Sequence, residues 1–428
     1  MSSLVARLGL PGTSSGELLR SSYSLLANTA LTALLGVGFW VVAARLYPTT
    51  TVGRDSVLIT VMVELSTLCQ LNLGNGIIRF LPDLGSRSTR ALGVIYGLTA
   101  LVALIVGVIF VVAAPSVSHE LSYLRRESGL GLLFVAALIV WGIFTLQDAA
   151  LTATRQAPWI PVENGVFGLL KLGVLPLLLA VGFVDGVFVA WVLSMALLLV
   201  PVNLFIFKRA VPAHVGAGER EASITTLGRW RVVRFLAQNY LASVFTQATL
   251  TILPIIVIAI LGARQSAYFA IPFMIVVAFD TFASSACSAL IVEATLEPTS
   301  IAALTRVFVR RVLSLVAPIA IVLAVAAPLV LLPFGQSYAE QGSGVLRLLL
   351  VASLLRVALA LFSALCRIHA HGIRLTLVEL ALLLLALGGA IPLAHSHGIS
   401  GVALAWLGAN ALVAFAVVPL LRTELRRS

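Results

Sequence analysis

The chain has 428 residues, 60% of them hydrophobic and only 11% charged, with a mean hydropathy of +1.08. A soluble domain is about 45–50% apolar and about 25% charged, so this composition excludes a soluble protein and specifies an integral membrane one. The net charge of +11 does not indicate nucleic acid, because the basic residues lie in short loops between apolar runs and form no patch with interleaved aromatics.

The apolar runs are continuous rather than alternating, which predicts an all-α polytopic membrane protein and not a barrel. Residues 1–22 are mixed polar and form an N-terminal segment in which no cleavable signal is evident. "SSGE" at Ser14 to Glu17 has the form of a capping box for a short interfacial helix. Twelve spans follow, with approximate limits 23–46, 54–79, 92–113, 130–154, 160–182, 186–207, 233–262, 266–292, 310–332, 345–367, 374–394 and 400–421. Residues 23–207 make an N-lobe of six spans, 208–232 a polar cytoplasmic linker, 233–421 a C-lobe of six, and 422–428 a cytoplasmic tail.

Loop charges set the orientation. Of the 28 Lys and Arg residues, Arg45, Arg54, Arg125, Arg126, Arg264 and Arg347 fall on one side, and Lys171 and Arg356 lie within spans. The rest, from Arg7 to Arg427, fall on the other side, which places both termini in the cytoplasm. The halves also repeat. "VVAAP" at 111–115 matches "AVAAP" at 324–328, an offset of 213. "VE" at 162–163 matches 378–379 at offset 216, and "GVFVAW" at 186–191 matches "GVALAW" at 401–406 at offset 215. An even number of spans per copy makes the repeat parallel, an architecture that implies a transporter with a site between two rocking lobes.

Ionisable residues inside a bilayer usually face a cavity or a partner, which singles out Glu64, Asp280, Lys171 and Arg356. At about 100° per residue from Glu64, Asn75 falls near 20°, Arg79 near 60° and Asn72 near 80°, one face of the second span. Asn239, Ser243, Thr246 and Gln247 share a face of the seventh span, ahead of an expected kink at Pro254. Asp280, Ser284 and Ser288 form a stripe in the eighth, Asp148, Thr152 and Arg155 cluster with Trp141 in the fourth, and Arg356, Ser363 and Arg367 in the tenth. For single Ser, Thr and Asn residues, interhelical glue is the plainer reading. Arg45, Arg79 and Arg155 lie near span ends, where snorkelling competes with a cavity role. Glu163 and Glu379 occupy equivalent places in the two copies and read as structural.

Catalysis has no support. "HAH" at 369–371 and "HSH" at 395–397 fall on opposite sides of the membrane and have no nearby acid or Cys, so no metal site is expected. Cys69, Cys287 and Cys366 lie in separate spans and read as packing residues. There is no Walker A sequence, and the external loops are short for a polymerase or ligase.

The first eighty residues resemble the Wzx-type polysaccharide-biosynthesis flippases of the MOP superfamily. The matching positions are Asn28, the run "GFWVVAARLYPTTTVG" containing Phe39, Trp40, Ala44, Arg45, Leu46, Tyr47 and Gly53, and "LGNGIIRFLP" ending in Arg79, Phe80, Leu81 and Pro82. That resemblance implies two six-helix lobes around a central cavity lined mainly by spans 1, 2, 7 and 8. It also implies translocation of a polyprenyl-(pyro)phosphate-linked oligosaccharide across a bacterial cytoplasmic membrane for cell-surface polysaccharide biosynthesis. The substrate-binding residues expected in the cavity are Asn28, Arg45, Asn72, Asn75, Arg79, Lys171, Asn239, Gln247 and Arg356. The implied partners are the lipid-linked oligosaccharide, membrane lipids and glycosyltransferases or a polymerase of the same pathway. No cofactor is implied. An Ala-, Leu- and Arg-rich composition agrees with a bacterial source.

The family expectation is a cationic cavity, yet Glu64, Asp148 and Asp280 stand against Lys171 and Arg356. Either some acids pair with these bases, or they bind a coupling proton or sodium ion, or the substrate is less anionic. A MATE-like cation-coupled drug antiporter is the alternative transporter, although residues 24–44 lack the acid expected in its first span. A major-facilitator transporter fits less well, since "DLGSRSTR" has the wrong glycine spacing for that family's loop motif. A non-transporting scaffold of a glycan-synthesis complex would gain little from charges within the membrane.

Overall fold

A computed structural model of the chain describes residues 32–117, 119–126, 129–183, 186–213, 237, 240–296, 314, 316–368 and 372–427. Every regular element among them is helical. Helix α1 (Thr32–Leu46) ends ahead of Pro48, which opens α2 (Thr49–Cys69) from an extended conformation. A 50° bend leads to α3 (Leu73–Phe80), and short 3-10 turns carry the chain into α4 (Ser88–Val117). After α5 (Tyr123–Arg126) come α6 (Leu130–Ala153), α7 (Ile160–Ala180) and α8 (Gly186–Phe205). Helix α8 continues past residue 207, through a π-helical turn at Ile206–Ala210 that carries Lys208 and Arg209, to Ala213. The second half holds α9 (Tyr240–Leu296), α10 (Val316–Val325), α11 (Ala327–Leu331), α12 (Gln336–Ile368) and α13 (Gly372–Arg427).

Among the described residues seven helices are long and apolar enough to cross a membrane, or up to nine if each bent pair is one span. Two of the seven, Tyr240–Thr281 with 42 residues and Gly372–Pro419 with 48, exceed one crossing, since about 20 residues span the hydrocarbon. Each is interrupted by a glycine outside helical space, Gly262 (φ 81°) in α9 and Gly398 (φ 59°) in α13. A side chain at Gly262 would oppose that φ, so the glycine sets where α9 breaks. Pro254 lies within the helix, and the break at Gly262 falls where the seventh expected span ends.

One buried cluster runs through both halves, from Phe39, Phe134 and Phe188 to Phe269, Phe334 and Trp406. The outward faces of α4 and α10 are aliphatic, with Leu101, Ile109 and Val112 on one and Ile321, Val322 and Val325 on the other. In lipid such faces need no cover. Buried polar groups fix the helices instead. The carboxylate of Asp55, 1% exposed on α2, accepts the Phe188 backbone N–H at 2.9 Å in the first turn of α8. The Tyr47 hydroxyl donates to the Leu175 carbonyl of α7 at 2.9 Å.

The first 240 residues and the rest meet chiefly along α2, which runs antiparallel to the first part of α9. A Cβ on Gly53 would stand 1.8 Å from the Ala263 carbonyl oxygen, so only glycine permits this approach. Farther along, Gln247 donates to Glu64 at 2.6 Å and the Tyr240 hydroxyl to the Leu68 carbonyl at 2.7 Å. At the Gly53 end, Arg45 donates from Nε to the Pro333 carbonyl (2.7 Å) and from its terminal nitrogen to that of Leu332 (2.9 Å).

Candidate functional site

Two cavities, each of about 360 Å³, lie beside α2. The aromatic cavity is lined by α1, α2, α6, α7, α8 and residues of α9 on both sides of Gly262. Its walls carry Trp40, Trp141, Phe144, Phe167 and Trp191, and the polar groups reaching it include Lys171, Glu64 and Asn164. The polar vestibule lies against the bend between α2 and α3 and is lined by Thr67, Gln70, Asn72, Asn75, Thr145, Asp148, Thr152, Tyr240, Ser243 and Gln247 among others. Nine neutral hydrogen-bonding side chains and a single carboxylate make this surface suited to neutral polar groups.

Lys171 is 5% exposed. Its ammonium lies 3.9 Å from the ring centre of Trp191, 4.8 Å from Phe167 and 5.1 Å from Phe39. Those rings pack edgewise on one another, with Phe39 and Trp191 5.4 Å apart and Phe167 and Trp191 5.6 Å. Ring quadrupoles offset part of the cost of burying the charge, each contact contributing about 0.5–2 kcal/mol. They accept none of its N–H bonds in the ordinary sense. Among the described residues no carboxylate pairs with Lys171, so its donors are available to a ligand.

Glu64, half-buried on α2, faces the same cavity and accepts the Gln247 amide through Oε2. Gln247 lines the vestibule, so this hydrogen bond lies on the partition between the two cavities. Asp148 faces the vestibule, while Asn164 of α7 lines the aromatic cavity. Asn164 stands seven residues before Lys171 on α7, a spacing that puts both on one helix face. That spacing was the available signal for a residue sequence analysis passed over. Gln70, Thr145 and Tyr240 were also passed over; Gln70 donates to Thr145 at 2.7 Å across α2 and α6.

The other expected site residues separate. Asn28 and Asn239 lie outside the described residues. Asn72 and Asn75 line the vestibule, with Asn75 donating to Asn72 at 2.6 Å. Their shared face with Glu64 does not hold, because the chain leaves the helix at Leu71 (φ 50°) and Asn72 (φ 62°) and angular bookkeeping stops there. Arg79, in the last turn of α3, is exposed and lines neither cavity. Arg45 is exposed and engaged with the carbonyls of Leu332 and Pro333 instead of a cavity. Arg356 does pair: its Nε is 2.8 Å from Asp280 Oδ2, and its guanidinium lies 5.2 Å over Trp406. The side chains of Ser284, Ser288 and Arg367, and the whole of "HAH", are outside the described set.

The two glutamates matched by the repeat differ. Glu379 accepts the Thr246 hydroxyl at 2.9 Å, while Glu163, 6% exposed, has no partner for either oxygen among the described residues. His395 and His397 are exposed, and no metal-binding cluster occurs among the described residues.

No family model matches the chain, and no curated protein matches it. Solved structures do. A multidrug resistance MATE family transporter of the MOP superfamily, in an inward-facing conformation, superposes with a TM-score of 0.69 at 17% identity over 95% of this chain and 98% of that one. The lipid II flippase MurJ, in an inward closed conformation, gives 0.68 at 11% identity over 95% and 89%. A MOP superfamily transporter from Pyrococcus furiosus, for which reverse polarity of the binding pocket suggests a different function, gives 0.64 at 14% over 96% and 95%. At these identities the likeness establishes the fold. The chain is a multi-pass membrane protein whose described elements are all helical and whose fold is like that of these neighbours, which are transporters and flippases rather than enzymes.

Proposed function

We propose that the protein is an alternating-access flippase for a polyprenyl-(pyro)phosphate-linked oligosaccharide, serving cell-surface polysaccharide biosynthesis in a bacterial cytoplasmic membrane. The observation that carries this reading is Lys171, a caged ammonium facing the aromatic cavity with no acid of its own among the described residues. A phosphate oxygen supplies the missing acceptor. The vestibule offers amides and hydroxyls to sugars, and the lipid tail stays in the bilayer. In this reading the topology has twelve spans in two lobes related by the repeat, both termini cytoplasmic. The two long elements each contribute two spans across Gly262 and Gly398, and α1 is part of the first. Of the three acids expected to couple a proton or sodium ion, Asp280 is held by Arg356, and coupling falls to Glu64 or Asp148. Enzymes that build or polymerise the glycan are the natural partners.

The second reading is a MATE-like antiporter of cationic drugs, favoured by the aromatic walls and by Glu64. Lys171 in the same cavity opposes a cationic guest. Deletion of the gene followed by lipid analysis decides. Lipid-linked intermediates should accumulate on the cytoplasmic side and surface glycan should be lost. If neither occurs, and drug sensitivity rises instead, the flippase reading fails.

A further inference from the structure

The aromatic cavity holds two opposite charges that do not neutralise one another. Lys171 presents its ammonium and Glu64 its carboxylate to the same space of about 360 Å³, and no ion pair joins them. Glu64 is held by one hydrogen bond, through Oε2 from Gln247; no described residue donates to Oε1, and that atom is not sealed from the cavity. The ammonium, on α7, lies against the rings of Phe39, Phe167 and Trp191, and the carboxylate is on α2.

The second half shows that the fold can close such a pair. Asp280 stands at an offset of 216 from Glu64, within the spacing of the internal matches, and there the acid is bound by Arg356 at 2.8 Å. Trp406, under Arg356, matches Trp191, under Lys171, at offset 215. Between Asp280 and Arg356 acid and base neutralise one another. Lys171 and Glu64 instead leave one positive and one negative group facing the cavity.

We propose that the transported headgroup is dipolar, with phosphate oxygens on Lys171 and an ammonium, as on an amino sugar, on Glu64. The proposal rests on the flippase reading and narrows its substrate class. The aromatic wall receives the apolar face of the sugar ring between the two charges. A carboxylate there repels a purely anionic headgroup, and a charge-assisted hydrogen bond from an ammonium turns that repulsion into selection. Glu64 then serves the substrate, leaving Asp148 as the acid for a coupling ion.

Binding of two synthetic probes to the purified full-length protein in nanodiscs tests this: farnesyl-diphospho-glucosamine and farnesyl-diphospho-glucose, measured by calorimetry. The amino probe should bind about tenfold more tightly. Glu64→Gln should bring the ratio to about one, whereas Lys171→Met should weaken both probes by a similar factor. Equal binding of the two probes by the unaltered protein, still dependent on Lys171, overturns the dipolar headgroup and leaves the flippase reading standing. So does a preference that survives Glu64→Gln. Binding of neither probe, or binding indifferent to Lys171, overturns both readings.

Discussion

Two tryptophans at matching places each lie beneath a cation, and the two sites differ in what holds that cation. Arg356 over Trp406 is also bound to Asp280, a self-contained ion pair with side chains 25% and 15% exposed. Lys171 beside Trp191 has aromatic rings alone, while the acid matched to Asp280, Glu64, is turned to Gln247. A buried pair satisfies its own charge, so it fixes helices. A buried charge without a counter-ion is a standing cost, kept where a ligand removes it. The contrast separates a brace in the second half from a receptor in the first.

The sharpest way to break this comparison is to remove each base. Arg356→Ala leaves Asp280 buried and uncompensated and should lower stability by about 3–5 kcal/mol. Thermal unfolding in detergent reads the loss, and adding Asp280→Asn should recover most of it. Lys171→Met should do the reverse. Transport of lipid-linked glycan falls by about a hundredfold, equivalent to about 2.7 kcal/mol, while unfolding temperature stays level or rises because an unpaired charge is gone. If both variants lose stability alike, the distinction between brace and receptor collapses.

Two smaller effects sharpen it. Gly53→Ala places a methyl into the Ala263 carbonyl and should cost about 1–3 kcal/mol, seen as a lower melting temperature, with transport reduced because α2 and α9 must part. Gln247→Leu removes the hydrogen bond that Glu64 accepts and should cost about 1.5–3 kcal/mol less any gain from the apolar side chain. It opens the partition between vestibule and cavity, so solvent accessibility of a cysteine placed at Asn164 should increase toward a membrane-impermeant thiol reagent.

Membrane character and the ionisable residues were legible because charge within long apolar runs stands out residue by residue. Lys171, Asp280, Arg356 and Glu64 all came from that signal. Which acid meets which base was not, because Asp280 and Arg356 are on different helices and no local periodicity relates them. The cage has the same opacity: Phe39, Phe167 and Trp191 sit on three helices and look like ordinary lipid-phase aromatics in one dimension. The break at Leu71 and Asn72 failed differently. "LNLGNG" contains the turn-forming residues, but an apolar surround carried the helical count straight through them.

The Arg45 contact has a consequence for genetics. Both acceptors, at Leu332 and Pro333, are backbone carbonyls, and substitution there does not remove them. The contact is therefore encoded by one codon. Among point substitutions at these three positions, a screen for its loss should return changes at Arg45 far more often than at its partners, and a compensating charge swap across the interface has no side chain on which to arise.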